Sequence, residues 1–286
     1  MDYANPEALV STDWLAEHLQ APDVKIVDGT AFLPDENRDA REEYEDCHIP
    51  GAVFFDINDI CDTDDPLPHM VPSAEKFSSR VRKLGLGDGY KVVVYDAHGG
   101  FNAAARVWWM FRLFGHEDVA VLDGGLPKWL SEQRSKCEFD EPRPQERHFT
   151  ARTNTFLVRN VDQLIRIIDA GKEQVIDARN PGRFAGTLPE PRPCRKKGHI
   201  PGSTNLYYAD LMNKDHHFTM RSADEIRGVV DAAGIDPKKP MVATCGSGVT
   251  ACVIALGLYL IGHEDVAIYD GSWAEWGEHF DTPVET

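Results

Sequence analysis

The sequence predicts an α/β protein made of two copies of one unit, each a mostly parallel β-sheet flanked by helices. Two observations lead to this prediction. Apolar strand-like runs alternate with helical runs along the chain, and several motifs recur in the same order. Alternating strands and helices favour parallel pairing, because each helix returns the chain to the same end of the sheet. The 286 residues are enough for two domains of ordinary size.

Three segments of the first half recur in the second half at nearly one separation. The pairs are residues 48–52 and 199–203, 115–120 and 262–267, and 121–129 and 268–276. Internal repeats of this kind indicate duplicated structural units. We therefore predict a first domain at residues 1–140 and a second at 159–286. A polar, proline-broken linker is expected at 141–158.

In the first copy, capping residues and apolar runs predict the elements. Ser11 is a residue type that caps helices, so a helix is expected over 11–19. The run Lys-Val-Val-Val-Tyr at 91–95 is typical of a strand buried on both faces. The other expected elements are strands at 25–28 and 119–122 and a helix at 103–114.

The second copy repeats the alternation and leads to a distinctive turn. Helices are expected at 161–170 and 223–233, and strands at 174–177 and 241–244. An alanine- and leucine-rich helix follows Thr250. The segment 245–249 is therefore a strand-to-helix turn, and parallel sheets place their sites at such strand ends.

This turn carries Cys245 together with two glycines, Gly246 and Gly248. Glycines let successive backbone N–H groups point inward and form a nest that favours negative charge. Thr250 is a good N-cap type, so the thiol precedes a helix N-terminus, where the thiolate is favoured. An isolated cysteine after a strand is more often a buried apolar residue. The combination predicts a reactive Cys245, whereas Cys252 inside the helix is expected to be inert.

The composition disfavours several classes of protein and partner. The 30 Lys and Arg residues against 47 Asp and Glu give a net charge of −17, which argues against nonspecific nucleic-acid or anionic-membrane binding. No apolar run is long enough to span a bilayer and no signal-peptide pattern opens the sequence, which predicts a cytoplasmic protein. The six cysteines lack paired or metal-type spacing, and no cofactor motif appears. Reduced thiols, no metal and no cofactor are expected.

The segment Cys-Gly-Ser-Gly-Val-Thr at 245–250 resembles the active-site loop of the 3-mercaptopyruvate sulfurtransferases, within the rhodanese superfamily. The two-copy layout, the paired His-Ile-Pro-Gly motifs and the Asp-Gly-Ser-Trp ending at 270–273 are similar to tandem rhodaneses over essentially the whole chain. The resemblance implies a non-catalytic first domain and a nucleophile in the second. It further implies that the sulfur of 3-mercaptopyruvate passes through a Cys245 persulfide to cyanide, a small thiol or thioredoxin.

The resemblance also implies substrate-binding residues. Arg183 and Arg192 resemble the two substrate-binding arginines of the family, and both follow the strand end at 174–177. A substrate carboxylate requires such a cationic anchor. Arg179 is expected to make structural ion pairs instead. The backbone N–H groups of five loop residues are expected to donate hydrogen bonds to the persulfide. They are those of Gly246, Ser247, Gly248, Val249 and Thr250.

A proton relay is implied as well. The segment around His69 resembles a family segment whose histidine is assigned to a Ser-His-acid relay with the loop serine, here Ser247. The acidic member of the family aligns with Asn58, so we expect Asp59 to replace it. Aligning the two copies through the 115–120 repeat places His98 opposite Cys245. The first copy is then either structural or lends side chains across the interface.

Other functions remain open at this point. A thiosulfate:cyanide sulfurtransferase would use the same fold, although such enzymes typically carry charged residues after the cysteine. A non-catalytic persulfide carrier would load sulfur without multiple turnover. A phosphatase with a related loop would end it with an arginine that clamps phosphate, and residues 248–250 contain none.

Overall fold

The computed structural model describes residues 2–99, 101–136 and 142–286, so the predicted domain boundary between residues 140 and 141 lies outside the described residues. The elements of the first half begin with short helices and strands that alternate as expected. They are β1 (Leu9–Val10), α1 (Thr12–His18), β2 (Val24–Asp28), α2 (Ala40–Asp46), β3 (Val53–Phe54), α3 (Ala74–Lys83), β4 (Lys91–Tyr95), α4 (Asn102–Leu113), β5 (Val119–Leu122) and α5 (Gly125–Ser131).

The second half repeats this sequence of elements and adds a short hairpin, β9 with β10. Its elements are β6 (Val158–Arg159), α6 (Val161–Ala170), β7 (Gln174–Asp177), α7 (Pro181–Phe184), β8 (Thr204–Asn205), β9 (Met212–Asn213), β10 (Thr219–Met220), α8 (Ala223–Ala232), β11 (Met241–Thr244), α9 (Ala251–Leu260), β12 (Ala267–Tyr269) and α10 (Ser272–Trp276). Each predicted strand and helix is present with ends that differ by a residue or two at most.

Each half forms a five-stranded sheet whose paired strands are parallel. The strand orders are β1-β5-β4-β2-β3 and β6-β12-β11-β7-β8, the same topology in both halves. The central strands β4, β5, β11 and β12 are almost wholly buried, because helices cover both faces. The predicted two-copy α/β fold is confirmed. Within the described residues, no helix combines the length and apolar character required to cross a membrane.

Strand register corrects one alignment between the copies. Tyr95 at the end of β4 pairs with the end of β2 in the same way as Thr244 at the end of β11 pairs with the end of β7. The next residue in the first domain, Asp96, is therefore the counterpart of Cys245, and the expected match between Cys245 and His98 is wrong. The reason is that α4 has 12 residues and α9 has 10. The number of residues between matching positions of the two copies is therefore different before these helices, at the Cys245 loop, and after them, at the repeat used for the alignment.

The two domains meet along α4 and α9, and Arg106 of α4 is the central polar contact between them. Its guanidinium forms an ion pair with Asp270 at 2.8 Å, and the two side chains are 1% and 6% exposed. It also donates to the carbonyl oxygens of Gly248 at 3.2 Å and His69 at 2.6 Å. The second carboxylate oxygen of Asp270 accepts from the backbone N–H of Val71 at 2.7 Å. One guanidinium thus ties the sulfur-bearing loop to the first domain.

Replacing Arg106 by Met should lower the free energy of unfolding by about 3–5 kcal/mol, because it leaves the buried Asp270 carboxylate without its cation. The double variant Arg106→Met, Asp270→Asn should recover part of that loss, since no buried charge remains unpaired. Urea unfolding followed by tryptophan fluorescence measures both. A single variant within about 0.5 kcal/mol of the unmodified protein would contradict this account.

Candidate active site

The loop from Cys245 to Thr250 is fixed from beneath by the start of α10. The N–H of Cys245 donates to Ser272 Oγ at 3.1 Å, and its carbonyl oxygen accepts from the N–H of Trp273 at 3.0 Å. Gly248 has a φ of +72°, and a Cβ there would lie 2.8 Å from the carbonyl oxygen of Asp270, so only glycine fits without strain. The geometry of this turn therefore depends on glycine.

Within the described residues, the N–H groups from Gly246 to Thr250 donate to no protein acceptor. The first domain differs, because the carboxylate of Asp96 accepts hydrogen bonds from the N–H groups of the corresponding loop. One Asp96 oxygen accepts from the N–H groups of His98 and Gly99, both at 3.1 Å. The first domain thus neutralises its nest with a carboxylate, whereas the second places a thiol there and leaves the amides free for an anion.

Thr250 does not cap α9 with its side chain. It occupies the N-cap position, but its φ of −71° and ψ of −15° are helical and no side-chain hydrogen bond forms. Capping by a side chain normally requires an extended backbone at this position. Its contribution to the turn is therefore its backbone, together with its place in the cavity wall.

A cavity of about 370 Å³ opens above the loop, and both domains line it. The second domain supplies Cys245, Ser247, Arg183 and Arg192, and the first domain lends side chains across the interface. The first-domain residues of the wall include Phe32, Glu36, Ile57, His69, His98 and Asn102. Cys245 is 2% exposed and lines this cavity. Small molecules therefore reach its thiol through the cavity.

Arg192 is the cation placed closest to the reactive groups. Its guanidinium donates to His69 Nε2 at 3.2 Å and approaches Ser247 Oγ at 3.5 Å. It forms no ion pair with a carboxylate among the residues that the structure describes. Burial lowers the pKa of Arg192, an effect that the nearby Cys245 opposes. The cavity therefore holds a partly desolvated positive charge available to an anion.

Arg183 reaches the same cavity but is already paired. It donates through Nε to Glu190 at 3.0 Å and makes a second, shorter contact with the same carboxylate. Its guanidinium also lies over the loop, since a Cβ on Gly246 would be 2.9 Å from Nη2. Glu190 binds Arg179 as well, at 2.8 Å. The expected ion pairs of Arg179 are confirmed, because it also pairs with Asp177 at 2.6 Å.

The structure brings His69 and Ser247 into one cavity, but Arg192 stands between them. Because Arg192 donates to His69 Nε2, this nitrogen is an acceptor and the ring is neutral, with its proton on Nδ1. Nδ1 is buried and has no hydrogen bond of normal geometry within the described residues, although the backbone of Ile57 acts to raise the pKa of the ring. Burial lowers the pKa of His69 to about 3, and the charges of Arg192 and Arg106 act in the same direction. His69 is thus held in its uncharged form.

The expected acidic member of the relay does not reach the site. Asp59 forms an exposed ion pair with Arg80 at 2.9 Å, and it does not contribute to the cavity wall. Asn58 is also exposed. The prediction for Asp59 is wrong because its short side chain is directed to α3 at the surface rather than to the His69 ring. Among the described residues, no carboxylate contacts that ring.

The remaining thiols differ in setting from Cys245. Cys252 is fully buried, donates to the Gly248 carbonyl oxygen at 3.3 Å, and has its pKa raised by burial, as expected for an inert thiol. Cys61 donates to the Asn58 carbonyl oxygen at 3.0 Å, and burial raises its pKa too. Cys137, whose redox role the sequence leaves open, lies outside the described residues. His98 lines the cavity and contacts Glu36 at 3.2 Å.

Sequence reasoning missed two residues that organise the site. Arg106 binds the loop from the other domain, and its signal was a charged residue in the middle of the apolar helix α4. Glu190 orients both Arg179 and Arg183, and its signal was an acidic residue between two prolines beside the arginine-rich segment. Neither signal identifies a partner, because the contacts form only in the folded chain.

The His69 ring predicts a specific pH dependence of stability. Its pKa falls from an ordinary 6.5 in the unfolded chain to about 3 in the fold, so the unfolded state binds the extra proton between these values. Stability should therefore fall as the pH drops below 6.5, by up to about 1.4 kcal/mol per pH unit. Between pH 7 and 4.5 the protein should lose about 2.5 kcal/mol more than a His69→Gln variant.

Urea unfolding at both pH values gives this difference, and His216→Gln, which changes an exposed histidine, is the matched control. The control should keep the pH dependence of the unmodified protein. If His69→Gln also keeps it, the neutral buried ring is not the cause.

Comparisons with known proteins agree with this geometry. The Rhodanese-like domain family matches residues 11–132 and 160–279. The 3-mercaptopyruvate sulfurtransferase of Homo sapiens is 44% identical over 274 residues, which cover 94% of this chain and 91% of that protein. The thiosulfate sulfurtransferase of Mus musculus is 42% identical over 275 residues, with coverage of 94% and 91%.

Among solved structures, the crystal structure of SseA from Escherichia coli, described as a 3-mercaptopyruvate sulfotransferase, matches with a TM-score of 0.84 and 36% identity. The match covers 93% of this chain and 98% of that structure. The family matches fall on both parallel sheets, one in each half of the chain. The chain therefore belongs to the rhodanese family and is built from two tandem rhodanese-like domains.

Proposed function

We propose that this protein is a 3-mercaptopyruvate sulfurtransferase that carries sulfur as a persulfide on Cys245. The observation that supports this most directly is the Arg192 guanidinium, which lies in the Cys245 cavity without a carboxylate partner among the described residues. A 2-oxo acid with a terminal thiol supplies the missing carboxylate. Its thiol sulfur then lies beside the nucleophile, as transfer of that sulfur requires.

The Cys245 thiolate attacks the substrate sulfur, so a sulfur–sulfur bond forms as the carbon–sulfur bond breaks. The electron pair of the broken bond passes to the departing carbon as an enolate, which the adjacent carbonyl stabilises. The proton released from the substrate thiol passes through Ser247 to His69 and returns to the enolate carbon, giving pyruvate. The free amides of Gly246 to Thr250 hold the persulfide, because they point into a nest without a protein acceptor.

Arg192 couples substrate binding to this proton transfer. In the free protein its guanidinium occupies His69 Nε2 and lowers the basicity of the ring. A substrate carboxylate competes for the guanidinium, because a charge-assisted bond to an anion is stronger than one to neutral imidazole. Binding therefore frees Nε2 for the Ser247 hydroxyl and neutralises the charge that held the pKa of His69 low. Arg183 supplies the second contact to the carboxylate.

The sulfur then leaves Cys245 for a thiophilic acceptor such as cyanide, a small thiol or a thioredoxin-like protein. A thiosulfate:cyanide sulfurtransferase is the second candidate, because thiosulfate is an anion that the same arginines attract. The loop from Gly246 to Thr250 has no charged side chain, which favours mercaptopyruvate. The ratio of kcat/KM for the two donors decides between them. A persulfide carrier would show one sulfur loaded and no multiple turnover.

We also propose a reducing compartment such as the cytosol. The cysteines Cys61, Cys194, Cys245 and Cys252 are free thiols, and a nucleophilic thiol is preserved best where disulfides do not form. Fractionation of the source cells with an antibody to the protein locates it. Recovery from an oxidising compartment would contradict this proposal.

Replacing Cys245 by Ser should lower turnover of mercaptopyruvate by at least about 10³-fold, because a hydroxyl in the same loop cannot form a persulfide. Mass spectrometry of the unmodified protein after exposure to mercaptopyruvate should show one added sulfur on the peptide that contains Cys245, together with released pyruvate. Cys252→Ser is the matched control and should still load. Wild-type turnover in Cys245→Ser would refute the mechanism.

Replacing Arg192 by Gln should raise KM for mercaptopyruvate about 10- to 100-fold, the cost of a lost charge-assisted contact. It should lower kcat as well, because His69 is no longer released by substrate. Arg195→Gln is the control: Arg195 lies three residues after Arg192, is exposed and pairs with Glu278, and its replacement should leave both constants unchanged. Steady-state kinetics separates these effects, and an Arg192→Gln enzyme with unaltered KM would remove Arg192 from the substrate site.

A further inference from the structure

The two domains differ at one position near the site, which lies two residues after the end of β2 in the first domain and two residues after the end of β7 in the second. Asp28 ends β2 and Asp177 ends β7, and each occupies the same place in its sheet register. Two residues later the second domain has Arg179, whereas the first domain has Thr30. A long cationic side chain in one copy is therefore replaced by a short neutral one in the other.

In the second domain, Arg179 fills a closed guanidinium site. Its Nη2 donates to Asp177 at 2.6 Å and to the carbonyl oxygen of Gly198 at 2.8 Å. Its guanidinium carbon lies 4.2 Å from the centre of the Trp273 ring. Carboxylate, carbonyl and aromatic face are the groups that bind a planar guanidinium best.

In the first domain, a cavity of about 410 Å³ occupies the corresponding place. Its wall includes Asp28, Thr30, Cys47 and Leu126. These are the repeat counterparts of the residues just described: Cys47 precedes the first His-Ile-Pro-Gly motif as Gly198 precedes the second, and Leu126 matches Trp273. The cavity is thus the guanidinium site of the second domain without its arginine, and its described wall shares no residue with the active-site cavity.

The charges around this cavity suit a cation. Asp28 is 1% exposed, and one of its oxygens accepts from the N–H and hydroxyl of Thr30 at 2.9 and 2.5 Å. Burial raises the pKa of Asp28 to about 6, against the hydrogen bonds from Thr30 and from the hydroxyl of Tyr95. Glu43 and Asp46 add acidic groups to the wall, and Arg38 is paired with Glu43 at 2.6 Å. Among the described residues, no arginine pairs with Asp28 as Arg179 pairs with Asp177.

We propose that this first-domain cavity binds a guanidinium group, with the Asp28 carboxylate as its main partner. The group belongs to a small guanidino compound or to an arginine side chain of another protein, and both present the same planar donor face. Either ligand replaces the contacts that Arg179 makes within its own domain. The site is separate from the sulfur-transfer cavity, since the described walls of the two cavities share no residue.

Isothermal titration of the full-length protein with millimolar methylguanidine tests the proposal, and urea serves as a neutral probe of similar shape. We expect saturable binding of methylguanidine at one site and none of urea. Asp28→Asn should weaken this binding at least about tenfold, because the charge-assisted pair is lost. Asp162→Asn, which removes an exposed acidic residue on α6, should leave it unchanged.

Thr30→Arg supplies the missing side chain without altering the carboxylate, so it remains informative if Asp28→Asn does not fold. This variant should fold and lose methylguanidine binding altogether. A parallel titration with an acetylated arginine amide distinguishes the sources: tighter binding than methylguanidine indicates an arginine side chain, and weaker binding a small guanidino compound. The absence of saturable binding by both probes, or binding that Thr30→Arg leaves intact, would overturn the proposal.

Discussion

The ion pair between Arg106 and Asp270 holds the Cys245 loop against the first domain. The relative placement of the loop and of His69 depends on it. The same guanidinium binds the carbonyl oxygens of Gly248 and His69. It therefore fixes the back of the loop and the segment that carries the histidine with one side chain. A buried charge of this kind contributes little net stability against an apolar alternative, but it specifies one arrangement of the groups around it. Here that arrangement is the placement of His69 above the second domain.

The duplicated fold is used asymmetrically. Both copies curl a loop after the central strand, but the first fills its amide nest with Asp96 and the second presents Cys245. Conversely, the second domain places Arg179 between Asp177 and Glu190, and Glu190 in turn pairs with Arg183, whereas the first domain leaves a cavity beside Asp28. The second copy thus leaves backbone amides without a protein acceptor among the described residues, and the first copy leaves a buried carboxylate beside a cavity. The first domain also completes the catalytic cavity, so it is more than a scaffold.

Much of the fold follows from local patterns in the sequence. Buried strands such as β4 and β11 are continuous apolar runs, and Ser11 caps α1 through a 3.1 Å bond to the N–H of Trp14, so local chemistry specifies these elements. The loop at Cys245 was predictable because two glycines and a helix start force its shape. The counterpart of Cys245 was not, since a two-residue difference in helix length shifts the alignment and only strand pairing reveals Asp96.

The contacts that organise the site could not be predicted from the sequence, because they join residues far apart in the chain. Arg192 binds His69 across the interface between the domains, and Asp59 pairs with Arg80 rather than with the histidine.

The central claim is that the loop keeps Cys245 as a reactive thiolate. The most direct test is the rate at which iodoacetamide alkylates each cysteine of the native protein at neutral pH, mapped by peptide mass spectrometry. The account predicts that Cys245 reacts first and that pyruvate slows it by occupying Arg192. Labelling of Cys245 as slow as that of the buried Cys252, with or without pyruvate, would contradict it.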